Sequence, residues 1–317
     1  MFRAALIAAL ILPVAHVAAG DPVLSLPIDC TLGETCFIQN QVDRDPGSGF
    51  RDYTCGALGY DGHKGTDFGL PTMADMRRGV DVLAAAPGVV RGLRDGVADV
   101  GPTDATKGQE CGNGVVLRHD DGWETQYCHM KSGSVRVEKG QRVERGDILG
   151  QVGKSGKAEF PHVHLSVRNN GNPVDPFDVS AFPSCGESGK SLWQDAPAYT
   201  PGGLLDAGFF PGIPEYEVVK DGSAAKEELD GDAPALVLFG YGFAGQKGDV
   251  MEMRITGPEG EFLSKSIELE KNQAQFFRAS GRRLTASRWP SGDYSGTVTL
   301  VRDGAVLGSR RVQTTIR

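Results

Sequence analysis

His162 and His164 are separated by one residue, in a stretch where Val163, Leu165 and Val167 alternate with polar side chains. Because successive side chains of a β-strand point to opposite faces, this alternation predicts a strand that buries its aliphatic side chains and presents both imidazoles on the other face. Such a face can hold a metal ion. Alone it is weak evidence, since two histidines on the solvent side of a strand usually bind nothing.

A second pair of ligand candidates, His63 and Asp67, lies earlier in the chain, four residues apart. In an extended segment these two side chains share a face. A helix would also align them, but Gly62, Gly65 and Gly69 disfavour a helix here. Imidazole, carboxylate and imidazole are the ligands of a zinc site that keeps its fourth position open for water.

The stretch 123–130 alternates in the same way and could place Tyr127 and His129 on a common face. The order of motifs, His-x-x-x-Asp, Tyr-x-His, Pro-His-x-His and a closing Val-Asp-Pro at 174–176, resembles the lysostaphin-type (LytM-like) zinc metalloendopeptidases. That family cuts peptide bonds in bacterial peptidoglycan. The resemblance covers roughly residues 50 to 180, and three motifs in order are far more specific than any one of them.

The resemblance implies that His63, Asp67 and His164 bind Zn²⁺, while His129 and His162 stay unligated beside it. Three protein ligands leave zinc able to lower the pKa of a water molecule to about 7 and to polarise a carbonyl. One free imidazole could accept a proton and pass it to the leaving amine, and the other could hydrogen-bond to the developing oxyanion. The assignment of these two roles stays open.

Tyr127, Cys128 and His119 lie near these motifs in the sequence, but each can be explained without a catalytic role. Packing on the sheet explains Tyr127 as well as a catalytic role does. Cys128 points to the face opposite His129 and is expected to be half of a disulfide. His119, beside the turn at 120–122, is expected to be a solvated surface residue.

The elements that must position these residues are predicted to be mainly β, in an antiparallel metallopeptidase core. We expect residues 80–86 and 89–93 to form one strand pair, and 115–119 and 124–130 another. The only clear helical segment is 72–79. Residues 95–114 are a glycine-rich insertion without periodicity, expected to lie near the rim of the active site.

Four regions follow along the chain: a signal peptide over 1–19, a metalloendopeptidase domain with an N-terminal extension over 20–182, a Pro/Gly-rich linker over 183–215, and a second domain over 216–317. Short strands and turns in the last region predict an immunoglobulin- or fibronectin-like β-sandwich. It contains no histidine and no cysteine. A role in positioning, substrate binding or protein-partner contact is open to it, and so is that of a stabilising spacer.

The N-terminal residues indicate the compartment in which the protein acts. A basic residue, an apolar run over 4–15 and small residues up to Ala19 are typical of a secretory signal peptide cleaved after that residue. The apolar run is shorter than the roughly 20 residues that a transmembrane helix needs. We therefore expect an exported protein, periplasmic or secreted.

The six cysteines also suggest export, because an even number in an exported protein predicts disulfides. Cys30 and Cys36 are close enough to close a small loop, and Cys111 and Cys128 flank a predicted hairpin. The remaining pair is Cys55 with Cys185. A zinc-thiolate site is disfavoured because no Cys-x-x-Cys occurs.

The net charge of −8 argues against binding to nucleic acid or anionic membranes. Any binding to peptidoglycan must come from a local groove. The predicted function is that of an exported zinc endopeptidase acting on peptidoglycan stem peptides or cross-links.

Two alternatives use the same fold. A non-catalytic wall-binding protein or hydrolase activator would not need all five of the site residues. A zinc D-Ala carboxypeptidase would need a cation to recognise the chain end, and Lys64 or Arg168 could supply one. The N-terminal segment 21–51 could also cover the groove, with Asn40, Asp43 or Asp45 as a blocking ligand, although simple packing is the preferred expectation.

Overall fold

The computed structural model describes residues 20–186 and 189–317, so the predicted signal peptide over 1–19 lies outside the described residues. The first part of the chain is mainly β, as expected. Its elements are β1 (Phe37–Asn40), β2 (Thr66–Gly69), α1 (Met73–Arg78), β3 (Asp81–Leu83), β4 (Gly88–Arg94), a 3₁₀ turn (Asp104–Thr106), β5 (Asn113–Arg118), β6 (Trp123–Met130), β7 (Arg142–Val143), β8 (Ile148–Gln151), β9 (His162–Asn169) and β10 (Asn172–Val174).

One antiparallel sheet positions the candidate residues. Its strands run in the order β1-β2-β9-β6-β5-β4-β7, with β10 also paired to β9. The predicted strand at 162–168 is therefore the central β9, between β2 and β6. Pairing places His164 opposite Asp67 on β2 and opposite Cys128 on β6. The sheet thus brings together motifs that are far apart in the sequence.

The predicted pairing of 115–119 with 124–130 is confirmed as β5 with β6. The predicted pairing of 80–86 with 89–93 is wrong. β3 instead pairs with β8 in a separate two-stranded sheet, and β4 pairs with β5 and β7. Hydrophobic periodicity indicates where strands lie, but here it could not show that the partner of β3 comes more than sixty residues later.

The helix predicted over 72–79 is confirmed as α1. Thr72 is its N-cap and accepts a hydrogen bond from the Asp75 amide, while the Asp75 carboxylate accepts one from the Thr72 amide. This reciprocal capping box satisfies two backbone donors at the start of the helix. Gly79 ends the helix with φ 87°, a left-handed value that glycine adopts without steric cost.

The aliphatic side chains of β9 are buried as predicted, with Val163, Leu165 and Val167 each at most 1% exposed. The opposite face is less open than the sequence suggested, since His162 is 4% exposed and Ser166 8%. The His162 imidazole is therefore enclosed, while that of His164 is partly exposed.

The rest of the chain forms two further sheets. Its elements are β11 (Gly203–Phe210), α2 (Tyr216–Asp221), β12 (Glu228–Leu229), β13 (Ala235–Gly245), β14 (Val250–Gly257), β15 (Gly260–Glu268), β16 (Gln273–Arg283), β17 (Gly292–Arg302) and β18 (Ala305–Ile316). The sheets have the orders β11-β13-β16 and β12-β18-β17-β14-β15. Side chains from both contribute to one buried cluster, including Leu238, Met253 and Val298.

Two features of this region differ from the sequence analysis. β11 lies within the range predicted as a linker. Its sequence, Gly-Leu-Leu-Asp-Ala-Gly-Phe-Phe, has no apolar/polar alternation and stands among prolines and glycines, so no strand was predicted there. α2 was not predicted, although Gly222 ends it with the left-handed φ of 81° that is typical of a helix C-terminus. Among the described residues the two helices have six residues each, and neither is long enough to cross a bilayer.

β1 joins the two parts of the molecule. The Gln39 side-chain amide donates a hydrogen bond to the Ala274 carbonyl oxygen at 3.0 Å, and that of Gln275 donates to Gln39 Oε1 at 3.3 Å. The rings of Phe37 and Phe243 lie 4.5 Å apart. The second part of the chain therefore packs directly on the edge strand of the sheet that carries the candidate site.

All six cysteines form disulfides in the pairing expected from the sequence: Cys30–Cys36, Cys55–Cys185 and Cys111–Cys128. The Cys111–Cys128 disulfide lies close to a functional candidate, since Cys128 precedes His129 in β6.

Candidate active site

The three predicted ligands meet at one point. Nε2 of His63 lies 3.2 Å from Oδ1 of Asp67 and 3.1 Å from Nδ1 of His164, and that Nδ1 lies 2.8 Å from the same carboxylate oxygen. Asp67 and His164 are opposed by the β2–β9 register, and His63 reaches them from the loop before β2. The structure thus forms a compact triangle of two nitrogens and one oxygen.

Hydrogen bonds to the far side of each imidazole orient the two histidines. Nδ1–H of His63 donates to the Gln41 carbonyl oxygen at 2.7 Å, and Nε2 of His164 lies 2.9 Å from the Ser166 hydroxyl. With these nitrogens bonded outward, the nitrogens that face each other are free to act as ligands. Such outward hydrogen bonds are the usual support of metal-binding histidines.

A hydrogen bond on its outer side also orients the carboxylate of Asp67. The Asn40 side-chain amide donates to its Oδ2 at 2.8 Å, which leaves Oδ1 facing the two histidines. Burial alone would raise the pKa of Asp67, but electrostatic attraction and hydrogen bonding to the imidazoles that contact it, first of all His63, hold its pKa well below the usual range. Asp67 is therefore ionised at neutral pH.

The donor set fits a divalent metal ion. A tetrahedral zinc with bonds of about 2.0–2.1 Å separates its ligands by roughly 3.3 Å, and the three observed separations are 2.8–3.2 Å. Two imidazole nitrogens and one carboxylate oxygen are ligands that zinc prefers. His63 and Asp67 are each 3% exposed, so a bound ion would offset a buried negative charge.

His129 and His162 lie beside this triangle. Their ring centroids are 4.6 Å apart, and Nε2 of His162 lies 3.6 Å from Oδ1 of Asp67. Nδ1–H of His129 donates to the Ser155 carbonyl oxygen, and Nδ1–H of His162 donates to that of Phe160, both at 2.9 Å. Each ring therefore presents its Nε2 as the nitrogen available to a substrate.

Both rings are neutral at neutral pH. Burial, reinforced by the nearby His162 and His164, lowers the pKa of His129 to about 3. Burial also lowers the pKa of His162, although Asp67 opposes the change. A neutral imidazole carries a lone pair on Nε2 and can accept a proton.

His129 is held in an uncommon backbone conformation. Its φ of 63° lies in the left-handed region, which is costly for a residue with a β-carbon. Its amide donates to the Cys111 carbonyl oxygen at 2.8 Å, and the adjacent Cys128 is bonded to Cys111. The disulfide and this hydrogen bond together fix the end of β6 at the site. The insertion at 95–114 therefore reaches the site, as expected.

Tyr127 has a structural role. It is fully buried, and its hydroxyl accepts a hydrogen bond from the Ala85 amide at 2.8 Å. Thr125 Oγ1 lies 3.1 Å from that hydroxyl and 2.9 Å from Nε2 of His119. His119 is half-buried and its Nδ1 bonds to the Pro87 carbonyl oxygen at 2.6 Å. The expectation that His119 is a solvated surface residue is therefore wrong.

The N-terminal extension supports the site rather than blocking it. The Asp43 carboxylate accepts hydrogen bonds from three backbone amides, including that of Gly62, and so braces the loop before His63. The Asp45 carboxylate accepts one from the Gly47 amide. Asn40 contacts the outer oxygen of Asp67. Within the described residues, none of these three lies in the metal-ligand triangle.

Neither Gln41 nor Ser155 was predicted to belong to the site, and Asn40 was predicted only as an alternative blocking ligand. Gln41 and Ser155 act through backbone carbonyl oxygens, which carry no side-chain signature. The amide of Asn40 is recognisable only once β1 is known to pair with β2.

Comparison with known proteins agrees with this geometry. Residues 61–176 match the model of peptidase family M23. The chain is 32% identical over 120 residues to the DD-carboxypeptidase/endopeptidase Mpg of Neisseria meningitidis, which is 37% of this chain and 23% of that protein. It is 32% identical over 118 residues to the peptidoglycan DD-endopeptidase ShyA of Vibrio cholerae, again 37% of this chain and 23% of the relative.

Among solved structures, the catalytic domain of the prophage-encoded M23 protein EnpA from Enterococcus faecalis aligns with a TM-score of 0.32 and 27% identity, covering 46% of this chain and 92% of that one. This chain spans less than a quarter of the length of the two curated relatives. The family match includes all five candidate residues, from His63 to His164. Residues 61–176 therefore form a domain of peptidase family M23.

Proposed function

We propose that this protein is an exported zinc metalloendopeptidase that hydrolyses peptide bonds in peptidoglycan stem peptides or cross-links. The observation that carries the proposal is the triangle of His63, Asp67 and His164 with two neutral imidazoles beside it. The M23 domain and the peptidoglycan endopeptidases among its relatives support the substrate class. Three disulfides favour an oxidising compartment, as export requires.

His63, Asp67 and His164 would hold the zinc through Nε2, Oδ1 and Nδ1. When bound, zinc supplies a Lewis acid that lowers the pKa of water and polarises the scissile carbonyl. A fourth protein ligand would close the site to substrate, and neither His129 nor His162 needs to serve as one. Their Nε2 atoms remain available for substrate chemistry.

The two imidazoles have different roles, proton transfer for one and stabilisation of the oxyanion for the other. One accepts the proton of the attacking water at its free Nε2 and delivers it to the leaving amine. The other donates a hydrogen bond to the developing oxyanion only once it carries a proton on Nε2 in addition to its bonded Nδ1–H. Ser155 and Phe160 fix the orientation of both rings through their carbonyl oxygens. A group that is already oriented need not reorganise when the transition state forms, and it therefore stabilises that state more effectively.

A non-catalytic role on the same fold is disfavoured. All five side chains are present, and each is held by hydrogen bonds that orient it for metal or substrate. A wall-binding protein would not require that arrangement.

The test is mass spectrometry of muropeptides after incubation of the purified protein with peptidoglycan. We expect new products of peptide-bond hydrolysis that disappear with a chelator and with His164→Ala, together with one zinc per chain in the native protein. Release that survives both treatments would refute a zinc hydrolase. Shortened pentapeptides with intact cross-linked dimers would identify a carboxypeptidase instead.

A further inference from the structure

A cavity of about 380 Å³ is lined by residues of the segment that leads into His162. One wall comes from the segment before β9, including Lys154, Phe160 and Pro161, and the other from α2 and β13 of the second part of the chain. The ring of Phe160 stacks on that of His162, with centroids 4.4 Å apart. Phe160 therefore connects this cavity to the His162 ring of the candidate active site.

Lys154 enters this cavity from the segment that holds both imidazoles. The Gly153 amide donates to the His129 carbonyl oxygen at 3.1 Å, and the His162 amide donates to the Gly153 carbonyl oxygen at 3.2 Å. On its other side, Ser155 accepts the hydrogen bond from the His129 ring. Any movement of Lys154 on substrate binding is thus coupled to the groups proposed to act in catalysis.

The Lys154 side chain is half-buried, and its path is set by the insertion at 95–114. Its amide donates to Asp99 Oδ1 at 2.9 Å, and its carbonyl oxygen accepts from the Gly101 amide at 3.2 Å. A β-carbon built at Gly101 would lie 3.2 Å from Lys154 Cε. The glycine therefore leaves space that the lysine stem occupies.

Most other charges in the cavity are paired. Lys220 Nζ lies 2.6 Å from Glu217, and Asp221 is bonded to Arg77 at 2.7 Å. Within residues 20–186 and 189–317, Lys154 and Glu159 make no ion pair. A half-buried ammonium without a counter-ion favours binding of an anion.

We propose, building on the function proposed above, that Lys154 binds the free carboxylate of the substrate residue on the amine side of the scissile bond. Hydrolysis leaves that residue with a new amine next to its carboxylate, so the unpaired Lys154 and Glu159 match the two charges of the leaving product. Lys154 would be a specificity-determining residue. Arg168 on β9, which was considered as the cation that recognises a chain end in a carboxypeptidase, is already bonded to Gln126 at 2.8 Å and lies near Glu124.

The test compares two muropeptide dimers that share a D-Ala–diaminopimelate cross-link and differ only in whether the carboxylate beside the scissile amide is free or amidated. We expect the zinc-loaded protein to cleave the free form with a kcat/KM roughly ten- to a hundredfold higher, as expected for one hydrogen-bonded charge pair. In Lys154→Met this ratio should fall to about one, while Lys154→Arg should preserve the preference.

Lys157→Met is the matched control, because Lys157 is exposed three residues further on, and it should keep the wild-type ratio. Zinc content and circular dichroism establish that Lys154→Met is folded. A wild-type protein without preference, or a Lys154→Met variant that keeps it, would overturn the proposal.

A binding measurement separates this proposal from the proposed function. Calorimetry follows binding of the monomeric product, free or amidated, to the zinc-loaded wild type and to Lys154→Met. If the wild type cleaves neither dimer but binds the free product more tightly, and only through Lys154, the hydrolase proposal fails and the carboxylate site stands. Equal affinity of the wild type for both products overturns the carboxylate site whether or not cleavage occurs.

Discussion

Gly65 lies directly against His164, so that a β-carbon built at position 65 would stand 2.5 Å from Nε2 of the imidazole and 2.6 Å from the Leu165 carbonyl oxygen. β-Carbons essentially never approach non-bonded atoms this closely. One of the two atoms belongs to the backbone of a central strand, which cannot easily move aside. The glycine between His63 and Asp67 therefore leaves room for a third ligand from a distant part of the chain.

Gly65→Ala is expected to displace the His164 ring and to weaken zinc binding by about ten- to a hundredfold, as disturbed support of a ligand commonly does. Competition with a chromophoric chelator measures the affinity. Gly92→Ala is the control, because a β-carbon there meets nothing within 4 Å. Unchanged zinc affinity in Gly65→Ala would show that β9 can shift without cost.

His164→Ala and His162→Ala should have different consequences. Loss of His164 removes one of three ligands, so the protein should be purified without stoichiometric zinc. Loss of His162 leaves the triangle intact, and we expect zinc to remain bound while kcat falls by about 10²–10⁴. Elemental analysis and a muropeptide assay on both variants distinguish the outcomes. Equal loss of metal would mean that the assigned roles are wrong.

Asn40→Ala tests the support of the metal-binding carboxylate. Without the hydrogen bond to Oδ2, Asp67 can rotate, and we expect zinc affinity to fall by about tenfold or more. Asn172→Ala, on the exposed strand β10, should leave it unchanged. The apoprotein should stay folded, because Asn40 itself is only partly buried. An unaltered affinity would assign the orientation of Asp67 to its histidine partners alone.

His119 should make stability depend on pH. Burial lowers its pKa in the folded protein below the unfolded value of about 6.5. The unfolded chain therefore binds the proton first, so this contribution to stability is present above about pH 6.5 and is lost as the pH falls below it. Urea unfolding at several pH values should show a smaller decline between pH 7.5 and 5.5 in His119→Gln than in the wild type.

The pH comparison isolates His119, since the other titrating histidines are common to both proteins. An identical decline in the two proteins would contradict the role of burial at this position. Tryptophan fluorescence, to which Trp123 on the same strand as Thr125 contributes together with Trp193 and Trp289, reports the unfolding.

Side-chain chemistry made much of the site predictable. Alternation identified the face of β9, and the spacing of His63 and Asp67 together with the motif order selected the five residues that the sheet brings together. Capping residues located α1 because the signal is local. The features that residue spacing could not predict depend on pairing between strands that are far apart in the sequence. The partner of β3, the contact of Asn40 with Asp67 and the carbonyl oxygens of Gln41 and Ser155 follow only from the assembled sheet.

β1 has a consequence for how this active site could be inherited. It precedes the segment that matches the peptidase family, yet Asn40 holds Asp67 and the adjacent Gln41 holds His63, while Gln39 anchors the same strand to the second part of the chain. Transplanting residues 61–176 alone into another protein would transfer the ligands without the groups that aim them. The unit of ancestry recognisable in the sequence is therefore smaller than the unit that an exchange of domains would have to carry.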